Sequence, residues 1–204
     1  MATDRSVLTT TEEPVRTAPT APAGAFLDTL CSPGPAPELG DAADVYGWLV
    51  GSWDMRVVDC PPDELRREAV GEWHFAWVLE GRAVQDVFIV PPRPLRDRSA
   101  PARNGNRYGS SIRVYDAATG AWKVIWVNPV TGAEDHLVGR RVGDEIVQEG
   151  RRADGSLIRW SFVDITADSF TWRGECSTDG GATWFLEAEF FGQRMDGATA
   201  TPSA

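Results

Sequence analysis

Residues Glu72 to Phe88 read EWHFAWVLEGRAVQDVF, and the two halves mirror each other across Glu80 and Gly81. Trp73, Phe75 and Trp77 alternate with smaller or polar residues before the dipeptide, and Val84 and Phe88 do so after it. A period of two marks a half-buried strand, and a glycine-containing pair between two such runs marks a hairpin. With Glu80 and Gly81 as the loop, Leu79 faces Arg82, Trp77 faces Val84, Phe75 faces Asp86 and Trp73 faces Phe88. One face of this hairpin is aromatic, with Asp86 set among the rings.

The same grammar continues along the chain. Turn residues recur as DAATG at 116–120, NPVTG at 128–132, VGD at 142–144, ADG at 153–155, TAD at 166–168 and DGG at 179–181. A three-residue ADG loop pairs Gln148 with Trp160 and Glu149 with Arg159, and a four-residue 128–132 turn sets Asp135 opposite Trp126. The next two turns set Trp160 by Trp172, Phe162 by Phe170, Cys176 by Trp184 and Arg173 by Glu187. Independent turns thus agree on one aromatic face, with charge pairs on the other. The expected fold is all-β: a closed up-and-down antiparallel barrel of about ten strands with the aromatic face inside. That is wider than the roughly eight strands that side chains just fill, so a cavity is expected.

Ahead of the strands, DAADVYGWLVGSWD is expected to form one short amphipathic plug helix, with Asp41 as cap and Gly51 as stop. Residues 1–40, rich in Ala, Pro and Thr, are expected to be disordered apart from a short helical turn at AFLDTL. The barrel domain is expected over 41–195, followed by a disordered tail at 196–204.

Composition narrows the partners. The 204 residues carry a formal charge of −10, which disfavours nucleic acid and anionic membrane surfaces. Lys123 is the one lysine, a skew expected of a GC-rich, for instance actinobacterial, genome. Cys31, Cys60 and Cys176 lie far apart with no metal-type spacing, and two histidines cannot build an all-histidine centre. No apolar run approaches the ~18 residues of a membrane span, and no signal peptide is legible. A cytoplasmic protein is expected, with no metal and no cofactor, and a homodimer stays open.

Ser177 to Trp184, STDGGATW, resembles the Asp box of sialidase propellers. A propeller needs on the order of 250 residues or more and repeated boxes, and this chain holds one box. It is read as a hairpin turn in which Asp179 accepts backbone N–H groups.

LVGSWD at 49–54, GEWHFAWVLEGRAVQDVFIVPPR at 71–93, VYDAATGAWKVIWVNP at 114–129 and STDGGATW together resemble a bacterial family of lipocalin-like (calycin) domains of unknown function. The similarity covers roughly residues 45–194. It implies the barrel and no activity. The more distant nitrobindins hold haem through a histidine late in the barrel, and no histidine follows His136 here.

With the aromatic face inward, Trp73, Phe75, Trp77, Phe88, Trp126, Trp160, Trp172 and Gln148 are the expected ligand-binding residues. Asp86 and Asp135 are the expected catalytic ones. A carboxyl among aromatic rings has its charged form disfavoured and can serve as general acid or base near neutral pH. Were the faces inverted, Glu72, His74 and Gln85 would line the cavity instead. Arg93, Arg96, Arg98, Arg103 and Arg107 crowd the 91–107 loop and could draw an anionic group to the barrel mouth. The expected function is to enclose an apolar, ring-containing metabolite and transform it by non-redox acid/base chemistry such as cyclisation, isomerisation or dehydration. The alternative is a non-catalytic carrier or sensor.

Overall fold

The computed structural model describes residues 23–62, 64–96 and 107–195. Ten antiparallel strands close on themselves in sequence order, each bonded to its chain neighbours and β1 to β10. They are β1 Gly51–Asp59, β2 Arg67–Val78, β3 Ala83–Val90, β4 Arg107–Asp116, β5 Ala121–Asn128, β6 Ala133–Val142, β7 Glu145–Arg151, β8 Leu157–Val163, β9 Ser169–Ser177 and β10 Phe185–Arg194.

The register follows the turns. Trp73 pairs with Phe88, Phe75 with Asp86 and Trp77 with Val84. Trp126 pairs with Asp135, and Gln148 with Trp160 beside Glu149 with Arg159. The inward parity set by Trp73 carries round the barrel and returns through the Trp53–Trp73 pair. The aromatic face is the interior.

Two registers differ from expectation. Phe162 pairs with Trp172, and Trp160 with Gly174. The observed pairs are those of a hairpin centred on Ala167, the middle of TAD, and the expected partners sit two residues off that register. Asp164 takes a positive φ of 51°, and Thr166 Oγ1 accepts from the Ser169 N–H at 2.9 Å. A slip of two preserves the face. In the last hairpin Cys176 pairs with Phe185 rather than Trp184, and a bulge between Leu186 and Ala188 leaves Glu187 unpaired. Glu189 therefore replaces Glu187 as the partner of Arg173. An inserted residue turns one side chain to the other face, and Glu187 points inward. The Asp179 turn is as read: its carboxylate accepts from the Thr183 N–H at 2.9 Å and from the Ser177 hydroxyl at 2.8 Å.

The plug is not one α-helix. Two 3-10 helices, Pro37–Val45 and Gly47–Leu49, meet at Tyr46, and the first is kinked at Gly40, φ 50°. Asp41 lies inside the first of them and is not its cap. The kinks turn Leu39, Ala43, Tyr46 and Leu49 into the barrel base, all of them buried. Arg194 clasps the plug to β10. Its guanidinium sits 4.1 Å from the Trp53 ring centroid and donates to the Trp48 carbonyl at 2.7 Å. Ala23–Leu30 forms an α-helix, α1, which takes in the helical turn expected at AFLDTL. The Ser32 N–H donates to the Trp77 carbonyl at 2.8 Å. Residues 31–40, expected to be disordered, are placed as well; residues 1–22 and the tail 196–204 lie outside the described residues.

Candidate functional site

Because the plug precedes β1, it closes the end where the β2–β3, β4–β5, β6–β7 and β8–β9 hairpins lie. The other end is the mouth. The lower half of the barrel is filled: Trp48 packs edge-on against Phe162 and Phe170 at 5.8 and 5.6 Å, and Tyr46 against Trp122 at 5.2 Å. A cavity of about 200 Å³ remains above this plug, bounded by Trp73, Phe88, Trp126, Trp160, Trp172 and Phe190 among others.

Five of those rings form a closed belt. Phe88 stacks on Phe190 at 5.1 Å, and Phe190 on Trp172 at 4.4 Å. Trp172 meets Trp160 at 5.7 Å, Trp160 meets Trp126 at 6.5 Å, and Trp126 returns to Phe88 at 6.3 Å. Two rings lie flat on the wall because glycine leaves them room. A Cβ on Gly109 would sit 2.3 Å from the Trp126 ring, and one on Gly174 would sit 2.6 Å from Trp172. Gly109→Ala is therefore expected to tip Trp126 into the cavity, costing about 1–3 kcal/mol of stability and displacing the Trp126 indole signal in an NMR spectrum. An unmoved indole signal would mean the wall is looser than drawn.

Polar groups surround the belt in an ordered way. At the mouth Arg107 grips Asp59 through two bonds of 3.0 and 2.9 Å, and Arg152 grips Glu187 through two of 2.7 and 2.8 Å. Asp135 lines the cavity beside them. Its ion pair with Arg152 Nε is long, at 3.6 Å. Burial pushes its carboxyl pKa up; Arg152 opposes this, Glu187 adds to it, and the net is a raised value. Deeper, Arg113 and Asp86 form a sealed pair at 2.6 Å, their side chains 2% and 0% exposed. The second Asp86 oxygen accepts from the Ser111 N–H at 2.9 Å.

Of the residues anticipated from sequence, Trp73, Phe88, Trp126, Trp160, Trp172 and Asp135 bound the cavity. Phe75, Trp77, Gln148 and Asp86 also face inward but sit lower, outside its boundary. Trp77 packs against the plug, 3.2 Å from where a Gly47 Cβ would be, and Gln148 lies next to Tyr46 at Gly139. Glu72, His74 and Gln85 are on the outer face. There His74 Nδ1 is 2.8 Å from Ser52 Oγ, and Glu72 accepts from the Arg93 guanidinium and N–H at 2.7 Å. Burial pushes the Glu72 pKa up, but the bonds from Arg93 and His74 outweigh it and hold it at about 2.

Arg93 is thus spent on Glu72. Arg96 donates to the Val90 and Arg107 carbonyls, both at 3.1 Å. Of the arginines grouped in that loop, only Arg107 lines the cavity among the described residues. Arg98 and Arg103 lie outside the described residues. Arg113, Arg152, Glu187, Ser111 and Asn128 were not anticipated. Arg107, Ser111 and Arg113 share one parity on β4, a signal that could have found them. The long loop before β4 offers no turn from which to count.

Two solved structures share this architecture. The S-type phycobiliprotein lyase CPES of Guillardia theta matches with a TM-score of 0.51 and 11% identity, over 76% of this chain and 93% of its own. Rv2717c of M. tuberculosis matches with a TM-score of 0.52 and 18% identity, over 79% of this chain and 99% of its own. At these identities the likeness is one of fold, and it supports a calycin-like barrel. No family model matches the chain, and no curated protein matches it significantly. Among the described residues, no helix is long and apolar enough to cross a membrane.

Proposed function

We propose that the barrel takes a small, ring-containing apolar molecule into the aromatic belt and acts on it by proton transfer through Asp135. The belt carries the binding half of this reading. Five rings around about 200 Å³ offer π-faces on all sides to a flat guest. A cavity of roughly 150 Å³ accommodates benzene, so one substituted ring or a fused bicycle is the matching size. The catalytic half rests on Asp135. Glu187, the other carboxylate that lines the cavity among the described residues, is held in a close ion pair with Arg152, as Asp59 and Asp86 nearby are with Arg107 and Arg113. Among the described residues Asp135 combines contact with the cavity and a pKa raised by burial, the direction that favours a general acid or base. Cyclisation, isomerisation and dehydration all need only such a proton shuttle, so no cofactor is invoked. A carrier or sensor is the second reading, favoured by the pairing of the second cavity-lining acid, Glu187, with Arg152.

Titration with indane, followed by NMR of the indole N–H signals, tests the binding half. Trp126, Trp160 and Trp172 signals should move together and saturate. Trp160→Ala should weaken binding about tenfold, in line with losing one large contact face. Indole signals that stay fixed at saturating indane would sink the reading.

A further inference from the structure

Asn128 ends β5 and opens the turn into β6, and it borders the cavity with 7% of its surface exposed. The turn uses most of its polar atoms. Its carbonyl oxygen accepts from the Gly132 N–H at 2.8 Å and from the Thr131 N–H at 3.2 Å. Its side-chain Oδ1 accepts from the Val130 N–H at 3.0 Å. That last bond fixes the amide, because the atom that meets an N–H has to be the oxygen. Nδ2 is then the end turned away from the Val130 N–H. It has no acceptor among the described residues, and it is not sealed from access as the Trp73 and Arg113 N–H groups are. A side chain more than nine-tenths buried at the cavity wall thus keeps a pair of N–H donors open.

The turn has no use for those donors. An Asp at 128 would hold the Val130 N–H as well, since a turn of this kind needs one side-chain oxygen. Their place in the barrel is beside the acid. Trp126 faces Asp135 across β5 and β6, and Asn128 follows Trp126 by two residues on the same inner face. Asn128 and Asp135 are therefore diagonal neighbours, the kind whose Cβ atoms lie about 7 Å apart. Both line the cavity with Trp126, so one edge of a ring lying against that indole has a donor and an acid within its reach.

We propose that Asn128 is a ligand-binding residue whose Nδ2 donates to a carbonyl oxygen on the edge of the bound ring, as in a small cyclic ketone, quinone, lactam or lactone. This rests on the reading of the belt as a binding site and of Asp135 as its acid or base. It adds the group that decides which edge of the guest meets Asp135. A ring carbonyl holds its lone pairs in the plane of the ring, where an N–H at the wall can reach them. With that oxygen held, Asp135 as carboxylate takes the proton from the ring carbon beside the carbonyl. The C–H electron pair becomes a C=C bond, and the carbonyl pair moves onto the oxygen that Asn128 stabilises. Return of the proton from Asp135 to the oxygen or to a conjugated carbon completes an isomerisation.

The test compares 1-indanone with 1-methyleneindane, in which a CH2 group stands in place of the oxygen, on the full chain. 1-Indanone should bind about five- to tenfold more tightly, the scale of one hydrogen bond gained. The side-chain NH2 signal that is missing in Asn128→Asp should move downfield with the ketone and not with the hydrocarbon. Asn128→Asp keeps the oxygen that Val130 uses and removes the donors. In this variant the turn should hold, 1-methyleneindane should bind as in the wild type, and the preference for the ketone should fall below about twofold. Equal binding of the two compounds by the wild type would overturn the proposal, as would an NH2 signal that stays fixed while the ketone binds. A preference that survives Asn128→Asp would overturn it too, since the oxygen would then be held by another residue. Binding of neither compound would remove the belt reading and this proposal with it, a result distinct from the other three. The wild-type comparison stands even if Asn128→Asp folds poorly.

Discussion

Replacing Arg113 with Met is expected to destabilise the barrel by about 3–5 kcal/mol, the scale for removing one partner of a buried ion pair. Asp86 would be left 1% exposed, with the Ser111 N–H as its remaining partner. Asp86→Leu should cost a similar amount for the mirror reason. The double variant should recover most of the loss, because two apolar side chains of similar volume can fill the space without a desolvated charge. Urea unfolding of the four proteins gives the coupling directly. A loss under about 1 kcal/mol in Arg113→Met would place the pair in contact with water, contrary to its burial. The same geometry moves the acid/base role away from Asp86. A carboxylate bonded to a guanidinium at 2.6 Å and set below the cavity is poorly placed to exchange protons with a guest.

Alternation alone sets Asp86 among the aromatic rings of the inner face. Period-two alternation tells which face a residue occupies, and that was legible from Trp73 to Trp172. It does not tell how deep along the barrel axis the residue lies. Phe75, Trp77, Gln148 and Asp86 share the inward parity of Trp73, yet the plug packs at that depth, Gly47 against Trp77 and Tyr46 beside Gln148. Depth depends on where the plug stops, and that is set by the break at Tyr46 and the kink at Gly40, not by strand pattern. Register was legible wherever a turn fixed its own centre, as at Glu80–Gly81 and the 153–155 loop. The TAD turn fixes its centre as well: the β8–β9 pairs are centred on Ala167, and the expected partners Trp160–Trp172 and Phe162–Phe170 miss that centre by one position. A bulge cannot be read from alternation at all, which hid Glu187 and with it the partner that holds Arg152 at the mouth.

Asp135→Asn should separate an enzyme from a carrier, and it carries a stability signature that needs no substrate. Burial raises the folded-state pKa of Asp135 above its ordinary value, so the folded protein holds this proton more tightly than the unfolded chain. The contribution of the acid is then favourable below the unfolded pKa, ~3.9, and is lost as pH rises through the raised folded value. Near neutral pH the charged carboxylate is a burden that Asn removes, while Arg152 keeps its two bonds to Glu187. Asp135→Asn is expected to stabilise the protein at pH 7, and the gain should vanish below about pH 4. Thermal unfolding at the two pH values measures it. On a cyclic ketone that the wild type converts, Asp135→Asn should lose on the order of 10²–10⁴ in turnover with binding changed only a few-fold. Stabilisation with binding retained, and no turnover of any bound ketone by the wild type, would favour the carrier. Destabilisation at pH 7 would instead make Asp135 a structural partner of Arg152, and the proton-transfer role would have no residue left to carry it.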